Sequence, residues 1–248
     1  MADMQHHFAR TWPTIPDGVT RALVTQLALA GLGAGAVVPA AAILLVGFAP
    51  AAVTLAMAGH VAGVALTLLL LRRGYPHGDL GLCNLVTLTR LALASALLAP
   101  LAAPASSWAV TGVAVAALAL DGVDGWLARR QGRVSGFGAR LDMEVDAALS
   151  LILALNAWAS GAVGAGVLLL GLPRYGYVAA GRVLPWMAGP LPERFGRKLV
   201  CVLQMTVLIA LQAPGLGAPL RAALVAGAAL AIVWSFGRDV LWLWRTRP

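Results

Sequence analysis

Eight apolar runs, each about twenty residues long, set what this chain can fold into. They fall at about 22–47, 50–71, 82–103, 106–128, 138–160, 163–186, 198–213 and 219–243. A hydrocarbon layer needs roughly 20 apolar residues of helix to cross it. Only helices and closed barrels satisfy their backbones there, and no run shows the ten-residue alternation of a membrane strand. The expected fold is all-α, a polytopic helical membrane protein. Composition agrees, with 60% hydrophobic and 11% charged residues over 248 positions, a mixture that excludes a soluble globular domain.

Charge sets the direction of the runs. The joins near 47–50, 100–107 and 160–165 hold no charged residue. The alternate joins carry Arg72 and Arg73, then Arg129, Arg130, Arg133 and Arg140, then Arg194, Arg197 and Lys198, and Arg245 and Arg247 follow the last run. Basic loops stay in the cytoplasm, so both termini and the loop near 130–137 are expected on that side, with Arg221 the one basic residue opposite. The net charge of +8 is read in the same way, as topogenic arginine, and no nucleic-acid partner is expected. Residues 1–21 form a polar to mixed cytoplasmic tail with Pro13, Pro16 and Asp17. The small residues of VVPAAA could end a signal peptide, but the long, weakly basic tail favours a retained first helix. Cys83 and Cys201 lie in no metal-type spacing, and His6 and His7 have no companion ligands, so neither disulfide nor zinc site is expected.

Against this background the acids stand out. Five of the ten acidic residues fall between 121 and 146. Asp121 and Asp124 end one apolar run, and Asp142 and Asp146 begin the next. Carboxylates at the edge of hydrocarbon are costly, and a divalent cation is their natural partner. The i,i+3 and i,i+4 spacings put each pair on one helical face. Two such helices joined by a short basic loop would point four acids at one another. Gly125 and Ala128 remove bulk on the face of Asp121 and Asp124, and Gly138 does so one turn before Asp142. The space suits a flat base or a diphosphate. Four carboxylates alone would repel a diphosphate; Mg2+ or Mn2+ reverses that field and polarises the phosphoryl group. A carboxylate at the edge of the cluster could then take the proton of an attacking hydroxyl.

The segment reads Asp121-x2-Asp124-Gly125-x2-Ala128-Arg129-x8-Gly138-x3-Asp142-x3-Asp146. It resembles the signature of the CDP-alcohol phosphotransferase family at every fixed position. The resemblance implies a six-helix catalytic core over 80–243, preceded by two extra transmembrane helices at 22–73 on which it is silent. It implies that Asp121, Asp124 and Asp142 hold Mg2+ or Mn2+, and that Asp146 is the general base and also touches the metal site. Arg129 would contact the donor's phosphates, while Gly125, Ala128 and Gly138 line the nucleotide site. Glu144 lies outside the signature and is expected off the site. The alternative for the cluster, structural ion pairing as in transporters, does not require glycines at these spacings.

Two further features carry weaker resemblances. Asn84-x-x-Thr87-x-x-Arg90 is similar to the pattern that opens the family's first core helix, which makes Asn84 and Thr87 donor-binding candidates. Read without it, the same stripe is a cap and a snorkelling arginine. Arg174 and Arg182 lie eight residues apart in the sixth run and resemble an arginine pair of members that use glycerol phosphate. Tyr175 stands where those members usually carry Glu, and Gly196-Arg197-Lys198-Leu199-Val200 keeps little of their Gly-Lys-x-Lys-Thr segment. These two arginines are acceptor-binding candidates, for phosphate or carboxylate, or else counter-charges for the acids. Trp234, Trp242 and Trp244 read as an interfacial belt.

The resemblance implies transfer of a phosphatidyl group from CDP-diacylglycerol to an acceptor alcohol, with release of CMP. It places the protein in the lipid bilayer of a bacterial inner membrane, as a homodimer whose site faces the cytoplasm. Two other readings stand beside it. One is the same chemistry with CDP-ethanolamine or CDP-choline and a lipid acceptor; the other is an ion-binding membrane protein without turnover.

Overall fold

The computed structural model describes residues 20–72, 74–189, 191–192 and 194–247; His6, His7, the tail through 19 and Arg73 lie outside them. Among the described residues there is no strand. The helices are α1 (Arg21–Gly35), α2 (Val37–Val46), α3 (Pro50–Leu71), α4 (Gly81–Ala96), α5 (Ser107–Arg130) and α6 (Gly136–Ala159). They continue as α7 (Leu168–Gly171), α8 (Pro173–Val183), α9 (Phe195–Ala210) and α10 (Ala218–Thr246), with 3-10 turns at Ala99–Leu101, Ala165–Val167 and Pro185–Ala188. This is the all-α membrane architecture the apolar runs predict.

Among the described residues five segments are long and apolar enough to cross a membrane: Arg21–Val46, Pro50–Leu71, Gly81–Leu101, Ser107–Arg130 and Ala218–Thr246. The other three runs depart from that description for separate reasons. Helix α6 is 24 residues long but holds Arg140, Asp142, Glu144 and Asp146 in its first half. Helix α9 has only 16 residues. The sixth run, expected as one span over 163–186, is not one helix. Pro173 takes the first position of α8, where its missing N–H and its ring stop α7 from continuing. Leu184 then turns extended, and Pro185 starts a 3-10 turn.

The chain packs as two compact units, one made of the described residues through Ala105 with Val113–Val145, the other of Ser106–Gly112 and the residues from Asp146 onward. In the first unit, Leu23 and Leu27 of α1, Leu71 of α3, Leu88 and Leu91 of α4, and Phe137, Leu141 and Val145 of α6 share one core with Tyr75 and Leu80. The two N-terminal spans, Arg21–Val46 and Pro50–Leu71, are thus built into this unit. Small residues allow close approach, as in many membrane bundles. A Cβ at Gly63 would lie 2.6 Å from Leu91 Cδ1. Buried His60 reaches the α1 backbone through Nε2, 2.9 Å from Gly31 O.

The second unit is held by a similar mixture. A Cβ at Gly171 would meet Leu151 Cα at 2.8 Å, so α7 lies directly on α6 there. Gln204 donates to Leu170 O at 2.6 Å and Gln212 to Leu153 O at 2.9 Å, side chains meeting carbonyls of other helices. Arg197 Nε pairs with the buried Asp239 Oδ2 at 2.8 Å.

Candidate active site

The signature lies across a helix–turn–helix whose geometry is set locally. Helix α5 ends in a Schellman motif: Arg133 N donates to Ala128 O at 2.8 Å and Gly132 N to Arg129 O at 3.3 Å. Gly132 takes the required left-handed conformation, with φ of +64°. Helix α6 then starts at once, with Ser135 as its cap; Ser135 Oγ accepts from Gly138 N at 3.1 Å. The tight turn brings the C-terminal end of α5 beside the N-terminal end of α6. A cavity of about 340 Å3 opens there, within the first unit.

Most of the residues singled out by sequence line this cavity. Asp124, Gly125, Ala128 and Arg129 enter from α5, and Gly138 and Asp142 from α6. Asn84 and Thr87 enter from α4, and Arg133, Ser135 and Cys83, which the sequence had not placed there, also line it. A Cβ at Gly138 would come within 3.3 Å of Ser135 Oγ and 3.5 Å of Asn84 Oδ1, so glycine keeps the wall open. Arg174, half-buried, and Arg182, exposed, both lie on α8 of the second unit.

Asn84 is held from behind. Its Nδ2 donates to Leu80 O at 2.6 Å and to Tyr75 Oη at 3.0 Å, and Tyr75 in turn reaches Leu80 O at 2.9 Å. Burial pushes the Tyr75 hydroxyl above its ordinary pKa, which keeps it protonated and able to donate. The strap before α4 is also pinned by Arg133, whose Nη1 meets Asp79 Oδ1 at 2.7 Å. Gly81 makes this possible: its φ is +73°, and a Cβ there would lie 2.8 Å from Arg133 Cδ.

The acids are not alone. Arg90, on the same stripe of α4 as Asn84 and Thr87, is 1% exposed and reaches into the cluster. Its Nη2 lies 2.8 Å from Asp121 Oδ1, its Nη1 lies 2.7 Å from Asp124 Oδ2, and Nη1 also reaches Asp142 Oδ1. Thr87 Oγ1 lies 2.9 Å from Asp124 Oδ2 and 3.1 Å from Cys83 O. The snorkelling reading of Arg90 therefore gives way to an ion-pair network, because α4 turns this stripe toward α5 and α6. The sequence puts Arg90 on the face that carries Asn84 and Thr87, but does not say which helices that face meets.

Asp146 lies one turn beyond Asp142 along the continuous helix α6. Asp121, Asp142 and Asp146 can each offer one carboxylate oxygen such that all three lie within 4.8 Å of one another. Three hard oxygen donors gathered this closely are the ligand type that divalent cations such as Mg2+ take.

A family model for CDP-alcohol phosphatidyltransferases matches residues 80–236, well over half the chain. The chain belongs to this family. No curated protein and no solved structure gives a significant match. As a CDP-alcohol phosphotransferase it is an enzyme of phospholipid-type biosynthesis that works in a membrane on a CDP-alcohol and an acceptor alcohol. The family generally uses a divalent metal, and the aspartate triad is where this chain could hold one.

Proposed function

We propose that this phosphotransferase moves a phosphatidyl group from CDP-diacylglycerol to the hydroxyl of an acceptor alcohol, releasing CMP. The observation that carries the reading is the mixed charge of the cavity wall. It carries the carboxylates of Asp124 and Asp142 together with Arg129, Arg133 and the capped N-terminal end of α6 around Ser135 and Gly138. Cations and the positive end of a helix attract phosphate, whereas carboxylates repel it unless a cation intervenes. A wall of both signs suits a diphosphate with a divalent ion.

In this reading Asp121, Asp124, Asp142 and Asp146 hold Mg2+ or Mn2+. The bound ion would neutralise diphosphate charge and stabilise the departing CMP. Arg129 holds the donor's phosphates, and Gly125, Ala128 and Gly138, with Asn84 and Thr87, make room for the nucleotide. Asp146 takes the proton of the acceptor hydroxyl. The hydroxyl oxygen forms a bond to the phosphorus that carries the diacylglycerol, the bond from that phosphorus to the bridging diphosphate oxygen breaks, and CMP leaves with the electron pair. Arg174 and Arg182 are assigned to the acceptor. The catalytic core is assigned to 80–243, and the homodimer is carried over from the family.

The donor is chosen by analogy with small family members that build phospholipids; the residues of the cavity support the diphosphate and leave the acceptor open. The basic joins support a cytoplasmic site in a bacterial inner membrane. The test is purified protein with labelled CDP-diacylglycerol, Mn2+ or Mg2+, and a panel of acceptors, read by lipid mass spectrometry. A new phospholipid that is lost on chelation is the expected result. Turnover of CDP-ethanolamine or CDP-choline with diacylglycerol, and not of CDP-diacylglycerol, would replace this reading with the polar-donor one.

A further inference from the structure

Arg90 is the most deeply buried charged side chain at the site, and nothing in the transfer chemistry above uses it. Its guanidinium touches three signature aspartates from two helices, Asp121 and Asp124 on α5 and Asp142 on α6, while its Nε donates to Ala117 O at 3.3 Å. The backbone contact fixes the direction of the fork, and Thr87 steadies Asp124 from the same helix. Arginine does not lose its proton in a protein, so this positive charge is permanent.

We infer that Arg90 is the resident counter-cation of the acidic cluster: it holds the cluster together before an ion binds and lowers the affinity with which the ion is held. This inference rests on the metal-site reading above. Three carboxylates brought together at the edge of an apolar bundle repel one another and lose hydration, and a single guanidinium bridging them offsets both costs. Asp121 and Asp142 also belong to the triad able to hold a divalent ion, so guanidinium and ion draw on the same carboxylates. Like charges within a few ångströms oppose each other, and the ion must enter against the field of Arg90. The two consequences have opposite signs. The arginine stabilises the ion-free protein and weakens ion binding, which keeps the ion exchangeable.

The opposite signs make the test selective. Mn2+ binding to the purified full-length protein is followed by the electron paramagnetic resonance of free Mn2+, and thermal unfolding is recorded with and without Mn2+. Arg90→Gln is expected to bind Mn2+ about tenfold tighter than wild type. It is also expected to melt lower without the ion and to gain more from its addition. Arg90→Lys keeps the charge and is expected to stay within about threefold of the wild-type affinity. General damage to the site would weaken binding, so tighter binding is a result that a merely structural role would not give. Arg90→Gln with unchanged or weaker Mn2+ binding, in a wild-type background that binds it, overturns this inference alone. Wild type that takes up no Mn2+ overturns the metal-site reading, and this inference with it. If Arg90→Gln cannot be recovered even with Mn2+ present, Arg90→Lys decides, and a departure of more than about threefold from wild type overturns the inference.

Discussion

Asp124 is the signature acid most enclosed by protein, 5% exposed and in contact with both Arg90 and Thr87. Asp124→Asn removes the charge that both partners are arranged around. We expect it to lower kcat/KM for CMP release by about 10²-fold or more. It should also cost about 1–3 kcal/mol of stability in chelator, by weakening the buried hydrogen bonds that Arg90 and Thr87 make to Asp124 Oδ2. Unfolding in EDTA and initial rates in saturating Mn2+ check the two parts separately. A second residue-scale prediction concerns Gly81, which combines a left-handed backbone with close packing under Arg133. Gly81→Ala is expected to cost about 1–2 kcal/mol from the backbone alone. It should also dislodge Arg133 from Asp79, seen as a raised KM for the donor. The four aspartates were legible in sequence because their spacing acts within single helices. The role of Arg90 was not, since snorkelling and ion pairing differ only in which neighbour α4 faces.

At the scale of elements, the turn between α5 and α6 controls how the two halves of the signature meet. Its Schellman motif depends on Gly132, which none of the fixed signature positions includes. Gly132→Ala should destabilise the protein by about 1 kcal/mol and reduce activity by loosening the register of Asp124 against Asp142. A variant with wild-type melting temperature and wild-type rate would show that the turn does not set the site. Apolar length alone located the boundaries of most helices to within a few residues. It failed for the sixth run because hydropathy is blind to the proline constraint: Pro173 and Pro185 interrupt a segment that is apolar enough to span. Arg174 therefore lies at the start of a short helix after a break, not in the middle of a continuous span.

At the scale of the molecule, the family match begins at residue 80, yet the first unit includes α1, α2 and α3. Helix α1 is tied to the start of the matched segment by Leu80 N, which donates to Gln26 Oε1 at 3.1 Å, and the connection after α3 is tied to α4 where Tyr75 Oη accepts from Asn84. Lipid covers an apolar face about as well as another helix does, so hydrogen bonds and close packing carry much of the specificity here. The double variant Gln26→Leu with Tyr75→Phe is expected to lose about 1–3 kcal/mol of stability and to weaken donor binding through Asn84. Unchanged melting and donor KM would make the N-terminal helices a passive anchor. Nothing in the sequence pattern showed the contact between Gln26 and Leu80, because it joins residues 54 positions apart.

Metal-dependent transfer with Asp146 taking the acceptor's proton is decided by CMP release from CDP-diacylglycerol, with acceptor and Mn2+, by wild type and Asp146→Asn at equal folded concentration. Release by wild type should stop in EDTA, and the variant should be about 10²–10⁴-fold slower. Equal rates from the two proteins, or wild-type release indifferent to chelation, would contradict it.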